Sequence, residues 1–152
     1  MTLIQTRIAT LADIDVVASL FDAYRQFYQQ PANLPLATHF IADRLHKNES
    51  VILLAEAKDA GVSGFCQLYP SFCSVEAMPI YCLYDLFVRP ESRRSGAGKV
   101  LLQAAAQHAA RAGCARLDLT TAKTNTSAQA LYESLGWVRD DVFHAYSKRV
   151  EG

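Results

Sequence analysis

Six consecutive residues, Arg93-Arg94-Ser95-Gly96-Ala97-Gly98, have the types and spacing to hold an anion. They follow a β-rich run, Tyr81-Cys82-Leu83-Tyr84-Asp85-Leu86-Phe87-Val88. They precede Lys99 to Ala112, an alanine-rich stretch with almost nothing to resist a helix. A turn between such a strand and such a helix is an anion cradle. Gly96 and Gly98 remove the Cβ atoms that would keep a ligand from the backbone, so several N–H groups converge on one phosphate at the positive end of a helix. A phosphorylated ligand is expected. Two nucleotide classes fail on named residues. A Walker-type loop would need a hydroxyl residue at Val100 and a glycine at Arg93, and a dinucleotide fingerprint would need its third glycine at Leu101.

A second constellation is Asn125-Thr126-Ser127-Ala128-Gln129-Ala130-Leu131-Tyr132-Glu133-Ser134-Leu135-Gly136-Trp137. By itself it reads as helix grammar: Thr126 and Gln129 as a capping box, Ala128, Leu131 and Leu135 as an inner stripe, Gly136 as the C-terminal stop. Together the two segments carry a resemblance. Arg-x-x-Gly-x-Gly after Leu-Tyr-Asp-Leu-Phe-Val-Arg-Pro-Glu, then Asn-x-x-Ala-x-x-Leu-Tyr-x-x-x-Gly-Trp about forty residues after Arg93, is similar to the paired signatures of the GCN5-related N-acetyltransferases. The likeness extends over essentially the whole chain.

The resemblance implies acetyl-CoA as co-substrate. Arg93, Arg94, Ser95, Gly96, Ala97, Gly98 and Lys99 would hold its pyrophosphate, although the sequence leaves open which arginine points inward. Main chain at Leu86, Phe87 and Val88 would pair with the pantetheine arm as if it were a missing strand, and a nearby amide would polarise the thioester carbonyl. Asn125, Ser127 and Ala128 would lie along coenzyme A, with Tyr132 the usual donor to the departing thiolate. A phenol near pKa 10 is a weaker acid than a thiol near 8.5, so full proton transfer is uphill by about 2 kcal/mol, and Tyr132 would act mainly by hydrogen bonding to the growing charge. The alternative is a Tyr132 that only packs beside Ala128 with its hydroxyl in water.

The acceptor side is less defined. An alkylammonium with a lysine-like pKa is only about 0.1% neutral near pH 7.4, so the site must lower that value or provide a base. Diamine acetyltransferases, which the Leu-x-Asp-Leu-Phe-Val stretch resembles most, carry a glutamate immediately before the aspartate; here that position is Tyr84, which weakens a transfer of polyamine specificity. Asp85 reads equally as base or as structural carboxylate. Strand alternation puts it on the face opposite Tyr84 unless a bulge intervenes, and a water chain to Glu76, Tyr84 or Asp85 is equally open. Tyr24, Tyr28, Tyr69, Tyr81 and Tyr84 are candidates for an aromatic wall over a cationic amine, with Tyr24, Tyr28 and Tyr84 taken as acceptor contacts.

The elements that must position these residues follow from patterning. Residues 3 to 8 read as a strand, Thr10 to Gln29 as an amphipathic helix, Pro31 to Pro35 as a break and Leu36 to His46 as a second helix. Val51 to Ala57 and Val62 to Phe72 flank the turn Lys58-Asp59-Ala60-Gly61 as a hairpin, and a long strand runs from about Pro79 to Val88. After the helix, which Gly113 ends, Arg116 to Thr120 is a short strand parallel to the one ending at Val88, and the resemblance implies a closing strand at Val142 to Arg149. The expected fold is a single α/β (α+β) N-acetyltransferase domain over residues 1–152. Its twisted sheet is mixed and mostly antiparallel, with a central parallel splayed strand pair and helices on both faces.

Composition sets outer limits. With 152 residues, 51% hydrophobic and 20% charged, the chain supports one good core, and its net charge of zero supplies no field for nucleic acid or an anionic membrane. No apolar signal core or membrane-length run is present, which suggests a cytoplasmic protein. Cys66, Cys73, Cys82 and Cys114 form no C-x-x-C pair and the four histidines have no metal spacing, so no metal is assigned. No cysteine is paired with a histidine base, which favours direct attack over a ping-pong route. The function expected is acetyl transfer from acetyl-CoA to the amine of a small molecule. Acetylation of a protein N-terminus or lysine, and a non-catalytic coenzyme A binding module, are the alternatives. Dimers are common in the family, and a homodimer is compatible with this chain.

Overall fold

The computed structural model describes residues 3–151; Met1, Thr2 and Gly152, the ends of the expected 1–152 domain, lie outside the described residues. It divides into two compact units, one up to Thr120 and one from Thr121.

The first unit is a five-stranded sheet in the order β1 (Ile4–Ile8), β2 (Val51–Ala57), β3 (Gly61–Cys73), β4 (Met78–Val88), β5 (Leu117–Asp118). The first three pairings are antiparallel and β4 with β5 is parallel, as the crossover through a helix requires. Ile52 to Ala55 in β2 and Ser63 to Leu68 in β3 are continuously buried, which happens only when both sheet faces are covered. Two helices, α1 (Ile14–Phe27) and α2 (Leu34–His46), cover one face: Val17, Leu20 and Phe21 of α1 and Ala37 and Ile41 of α2 cluster with Ile52, Leu54, Phe65 and Phe87. A third, α3 (Ala97–Arg111), packs on the sheet through Leu101, Leu102, Ala105 and Ala109, none of which belongs to that cluster.

Local chemistry explains the boundaries. Asp13 accepts the Thr10 N–H at 2.8 Å in a 3-10 turn (Leu11–Asp13) that precedes α1. Arg7 of β1 grips the same carboxylate with two hydrogen bonds of 2.8 and 2.9 Å and bonds Glu56 of β2 at 2.7 Å. The Arg7 guanidinium holds the Asp13 carboxyl down at about 2. The second helix begins at Leu34 rather than Leu36, because Asn33 caps it through the Leu36 N–H at 3.2 Å and Pro35 fits its first turn instead of ending the break. The β5 strand shrinks to two residues.

The second unit contains α4 (Thr126–Ser134). Its N-cap is Asn125, whose side-chain oxygen accepts the Ala128 N–H at 3.3 Å; Thr126 is the first helical residue, so the expected Thr126–Gln129 capping box does not form. Gln129 instead donates to the carbonyls of Ala122 and Lys123. The expected closing strand from Val142 to Arg149 is not formed either. That stretch has no ladder partner among the described residues, and an isolated segment does not hold a strand without one.

Candidate active site

The loop from Arg93 to Lys99 lies where a strand hands over to a helix, as its sequence requires. Gly96 is the N-cap of α3 at φ 93°, a left-handed conformation that a side chain resists. Arg94 also sits at positive φ, 66°. Ser95 Oγ accepts the Ala97 N–H at 3.3 Å, and the remaining amides of the first turn, at Gly98 and Lys99, have no carbonyl of their own helix to bond. Arg93 is turned back onto the strand end. Its Nε donates to the Val88 carbonyl at 3.0 Å, and its guanidinium carbon lies 5.5 Å from the Phe87 ring centroid and 5.7 Å from that of Phe27.

Leu86, Phe87 and Val88 are held on one side only. They pair with Cys66, Phe65 and Gly64 of β3, whereas the parallel ladder to β5 consists of Tyr81 with Leu117 and Cys82 with Asp118 and goes no further. From Leu83 onward the β5 side of β4 carries no strand partner among the described residues. Gly64 is required in the β3 pairing: a Cβ there would stand 2.7 Å from the Phe87 carbonyl oxygen.

One residue earlier the strand changes parity. Leu68 of β3 faces Leu83 and Gln67 faces Asp85, so Tyr84 is an extra, unpaired residue, a β-bulge. Directly opposite residues share a face, so Asp85 joins Gln67 on the side covered by α1 and α2. Without the bulge, strict alternation from Leu83 would put Asp85 on the other side. The same parity explains Tyr81, which leaves the expected tyrosine wall: it lies before the bulge and its ring rests 5.6 Å from His108 of α3.

Four tyrosines remain near Asp85. The Tyr24 hydroxyl of α1 donates to the Tyr84 carbonyl at 3.2 Å and is within hydrogen-bonding range of the Asp85 carboxyl. Tyr24 and Tyr28 rings lie 5.1 Å apart, and those of Tyr69 and Tyr84 5.5 Å apart. Tyr84 is 70% exposed while Asp85 is 3% exposed, so the bulge turns its aromatic out and its carboxylate in. Burial pushes the Asp85 carboxyl above the usual carboxylate range, against hydrogen bonds from Gln67 and Tyr24. Burial first, then the charge of Asp85, raises the phenols of Tyr24 and Tyr69.

Sequence reasoning passed over Gln67 and Ser50. Gln67 is wholly buried; its amide donates to Asp85 Oδ2 at 2.5 Å and its carbonyl accepts the Ser50 hydroxyl at 2.8 Å. The available signal was one polar residue inside the apolar run Gly64-Phe65-Cys66-Gln67-Leu68. Glu76, kept open as a base, is not brought to this place. It sits in the β3–β4 turn, bonded to Arg116 at 2.9 Å, seven or more strand rises of about 3.3 Å from Asp85. The cysteines are free thiols, and burial pushes Cys66 up to about 12.

Within the second unit, Asn125 is committed to the cap of α4, Ser127 and Ala128 lie in its first turn, and the Tyr132 ring is 6.0 Å from that of Trp137.

The model of the Acetyltransferase (GNAT) family matches residues 17–137, and the chain belongs to that family. It is 44% identical over 144 residues to an uncharacterized N-acetyltransferase, YhfO, of Bacillus subtilis (strain 168), a match covering 95% of this chain and 96% of that protein. A crystal structure of a probable acetyltransferase shares 37% identity with a TM-score of 0.91, covering 97% of this chain and 99% of the other. The L-ornithine N5-acetyltransferase NATA1 of Arabidopsis thaliana is 35% identical over 78 residues, 51% of this chain and 34% of that protein. The chain is an N-acetyltransferase with the mixed α/β fold of its family, whose co-substrate is acetyl-CoA and whose acceptors are amines. The residues present fit that co-substrate: a left-handed Gly96 at a helix N-terminus suits a pyrophosphate, and a strand edge with no partner among the described residues suits an extended amide-bearing arm. Among the described residues no helix is long and apolar enough to cross a membrane.

Proposed function

We propose that this single-domain protein acetylates a primary amine of a small, cationic molecule by direct attack on acetyl-CoA, with Asp85 receiving the ammonium. The observation that carries this reading is the bulge at Tyr84, which buries a carboxylate among Tyr24, Tyr69 and Tyr84 on the stretch of β4 whose β5 side, from Leu83 onward, has no strand partner among the described residues. A cation entering here meets one anion and several ring faces, each worth about 0.5–2 kcal/mol. The family match spans residues 17–137, across both compact units, in support of one functional domain.

The main-chain groups of Leu86 to Val88 would align the pantetheine arm, and the amides at Gly96 to Lys99 would bind the pyrophosphate, with Arg94 and Lys99 adding charge; acetyl-CoA supplies the activated acyl group. Arg93 would have to release Val88 to join them. Asp85 is a better base than an ordinary carboxylate because burial raises its proton affinity, which narrows the gap to an ammonium near 10.4. Tyr132, placed by the family signature together with Asn125, Ser127 and Ala128, would hydrogen-bond the departing sulfur. Cys66, on the strand that pairs with Leu86, is a poor nucleophile for a covalent intermediate, since it is buried with its thiol pushed up to about 12.

Thiol release from acetyl-CoA with a panel of L-ornithine, a short diamine and a lysine peptide tests the reading. Asp85→Asn is expected to lower kcat/KM for the amine by about 100-fold or more, and Tyr132→Phe to lower kcat by about tenfold with the KM for acetyl-CoA little changed. Turnover of the peptide alone would move the protein to the protein-acetylating class. Cofactor binding without turnover on any amine, or full activity in both variants, would overturn the mechanism.

A further inference from the structure

Asp85 is not held by the backbone alone. Its partner Gln67 is fully enclosed, and the amide of Gln67 has two chemically different ends. Gln67 Nε2 donates to Asp85 Oδ2 at 2.5 Å, and Gln67 Oε1 accepts the Ser50 hydroxyl at 2.8 Å. Ser50 lies immediately before β2, Gln67 on β3 and Asp85 on β4, so the three form a transverse chain across three neighbouring strands. Resting on the acceptor-site reading above, we propose that Gln67, oriented by Ser50, is a positioning residue that aims the Asp85 carboxylate and sets how readily it takes a proton.

The polarity of the chain carries the argument. Ser50 gives its proton to the Gln67 carbonyl, which leaves the NH2 end toward Asp85; an amide turned the other way would set its oxygen against a carboxylate oxygen and force the Ser50 hydroxyl to turn from donor to acceptor. The arrangement therefore favours ionised Asp85 and opposes the burial that favours the protonated acid. When Asp85 takes up a proton, its new O–H finds an N–H donor on that side, not an acceptor, so the proton is readily passed on. Such a base is neither too weak to accept from an ammonium nor so strong that it stays protonated between turnovers. The other groups facing Asp85 are Tyr24 of α1, Tyr69 of β3 and Tyr84 of β4 itself; Cys66, next to Gln67 on β3, alternates to the opposite face and feels Asp85 only through its charge, Tyr28 acts through Tyr24, and Arg44 of α2 and Glu49 through Tyr69. None of the facing groups is a cation, so Gln67 and Tyr24 are the groups that oppose burial there.

The test needs two independent readouts. The Asp85 carboxyl is titrated by 13C NMR without substrates in the native protein, Ser50→Ala, Ser50→Thr and Gln67→Met. Gln67→Met keeps the volume and removes the donor. The same proteins and Asp85→Asn are assayed for thiol release from acetyl-CoA with L-ornithine as the probe amine across pH 5 to 9. Loss of a donor to a carboxylate raises its midpoint: Gln67→Met is expected to shift it up by about one pH unit and Ser50→Ala by about half a unit, with Ser50→Thr returning it toward the native value. The acid limb of kcat/KM should move by the same amounts while the KM for acetyl-CoA stays within about twofold. Unmoved NMR midpoints in folded Ser50→Ala and Gln67→Met would overturn the proposal even if activity fell. Full turnover by Asp85→Asn alongside the shifted midpoints would overturn the acceptor reading and leave the positioning of the carboxylate standing.

Discussion

The loop proposed for the donor and the bulge proposed for the acceptor lie nine to fifteen residues apart on the same stretch of chain and are built on opposite principles. The loop from Arg93 to Lys99 is made of local features: a left-handed Gly96, a serine oxygen on the Ala97 N–H and a helix dipole, all within one turn of sequence. The bulge at Tyr84 is made by distant partners: Gln67 and Leu68 on β3, Ser50 before β2 and Tyr24 on α1. A locally encoded site suits a co-substrate shared by a whole family. A site whose wall comes from four separate elements suits an acceptor that varies from member to member.

Three substitutions break or sharpen that contrast. The largest effect is expected where the two regions share a scaffold. Gly64→Ala drives a Cβ to 2.7 Å from the Phe87 carbonyl, backbone against backbone, and should cost about 2–3 kcal/mol, read as a fall of roughly 5–10 °C in Tm with both substrates' KM values rising. An unchanged Tm would mean that β3 and β4 can part there without penalty. Gly96→Val acts on the donor side alone: a β-branched residue at φ 93° is expected to raise the KM for acetyl-CoA by about tenfold while the amine KM stays put. Equal damage to both KM values would erase the proposed division of labour. The smallest effect is on stability at the acceptor side. Because the folded carboxyl of Asp85 is raised above its unfolded value, its contribution is favourable below the unfolded pKa of about 3.9 and is lost as pH rises through the folded value. Asp85→Asn should therefore gain roughly 2 °C in Tm at pH 8 and gain nothing at pH 3 while activity is lost, and a lower Tm at pH 8 would reverse the sign of the argument.

Much of the scaffold was legible from spacing. Apolar runs and turn residues located β2 to the residue, β3 and β4 to within one or two, and α3 from its alanines and Gly113. Errors came where a neighbour decides. Pro35 looked like a breaker until the Asn33 cap made it a first-turn residue, and Val142 to Arg149, expected as a strand from the resemblance, joins no ladder among the described residues. The site divided in the same way. Gly96 announced itself by type, whereas Gln67 and Ser50 went unread because nothing local marks a glutamine as the partner of an aspartate eighteen residues on.

The amino-acid sequence by itself determined the family, through two motifs that resemble its signatures, and the handover from strand to helix at Arg93 to Gly98, because glycine torsions and helix-forming runs are properties of a few adjacent residues. Only the tertiary structure decided which way Asp85 faces. One unpaired residue in β4 reverses the parity of everything after it, and whether a residue is unpaired is a property of two strands in register, never of one.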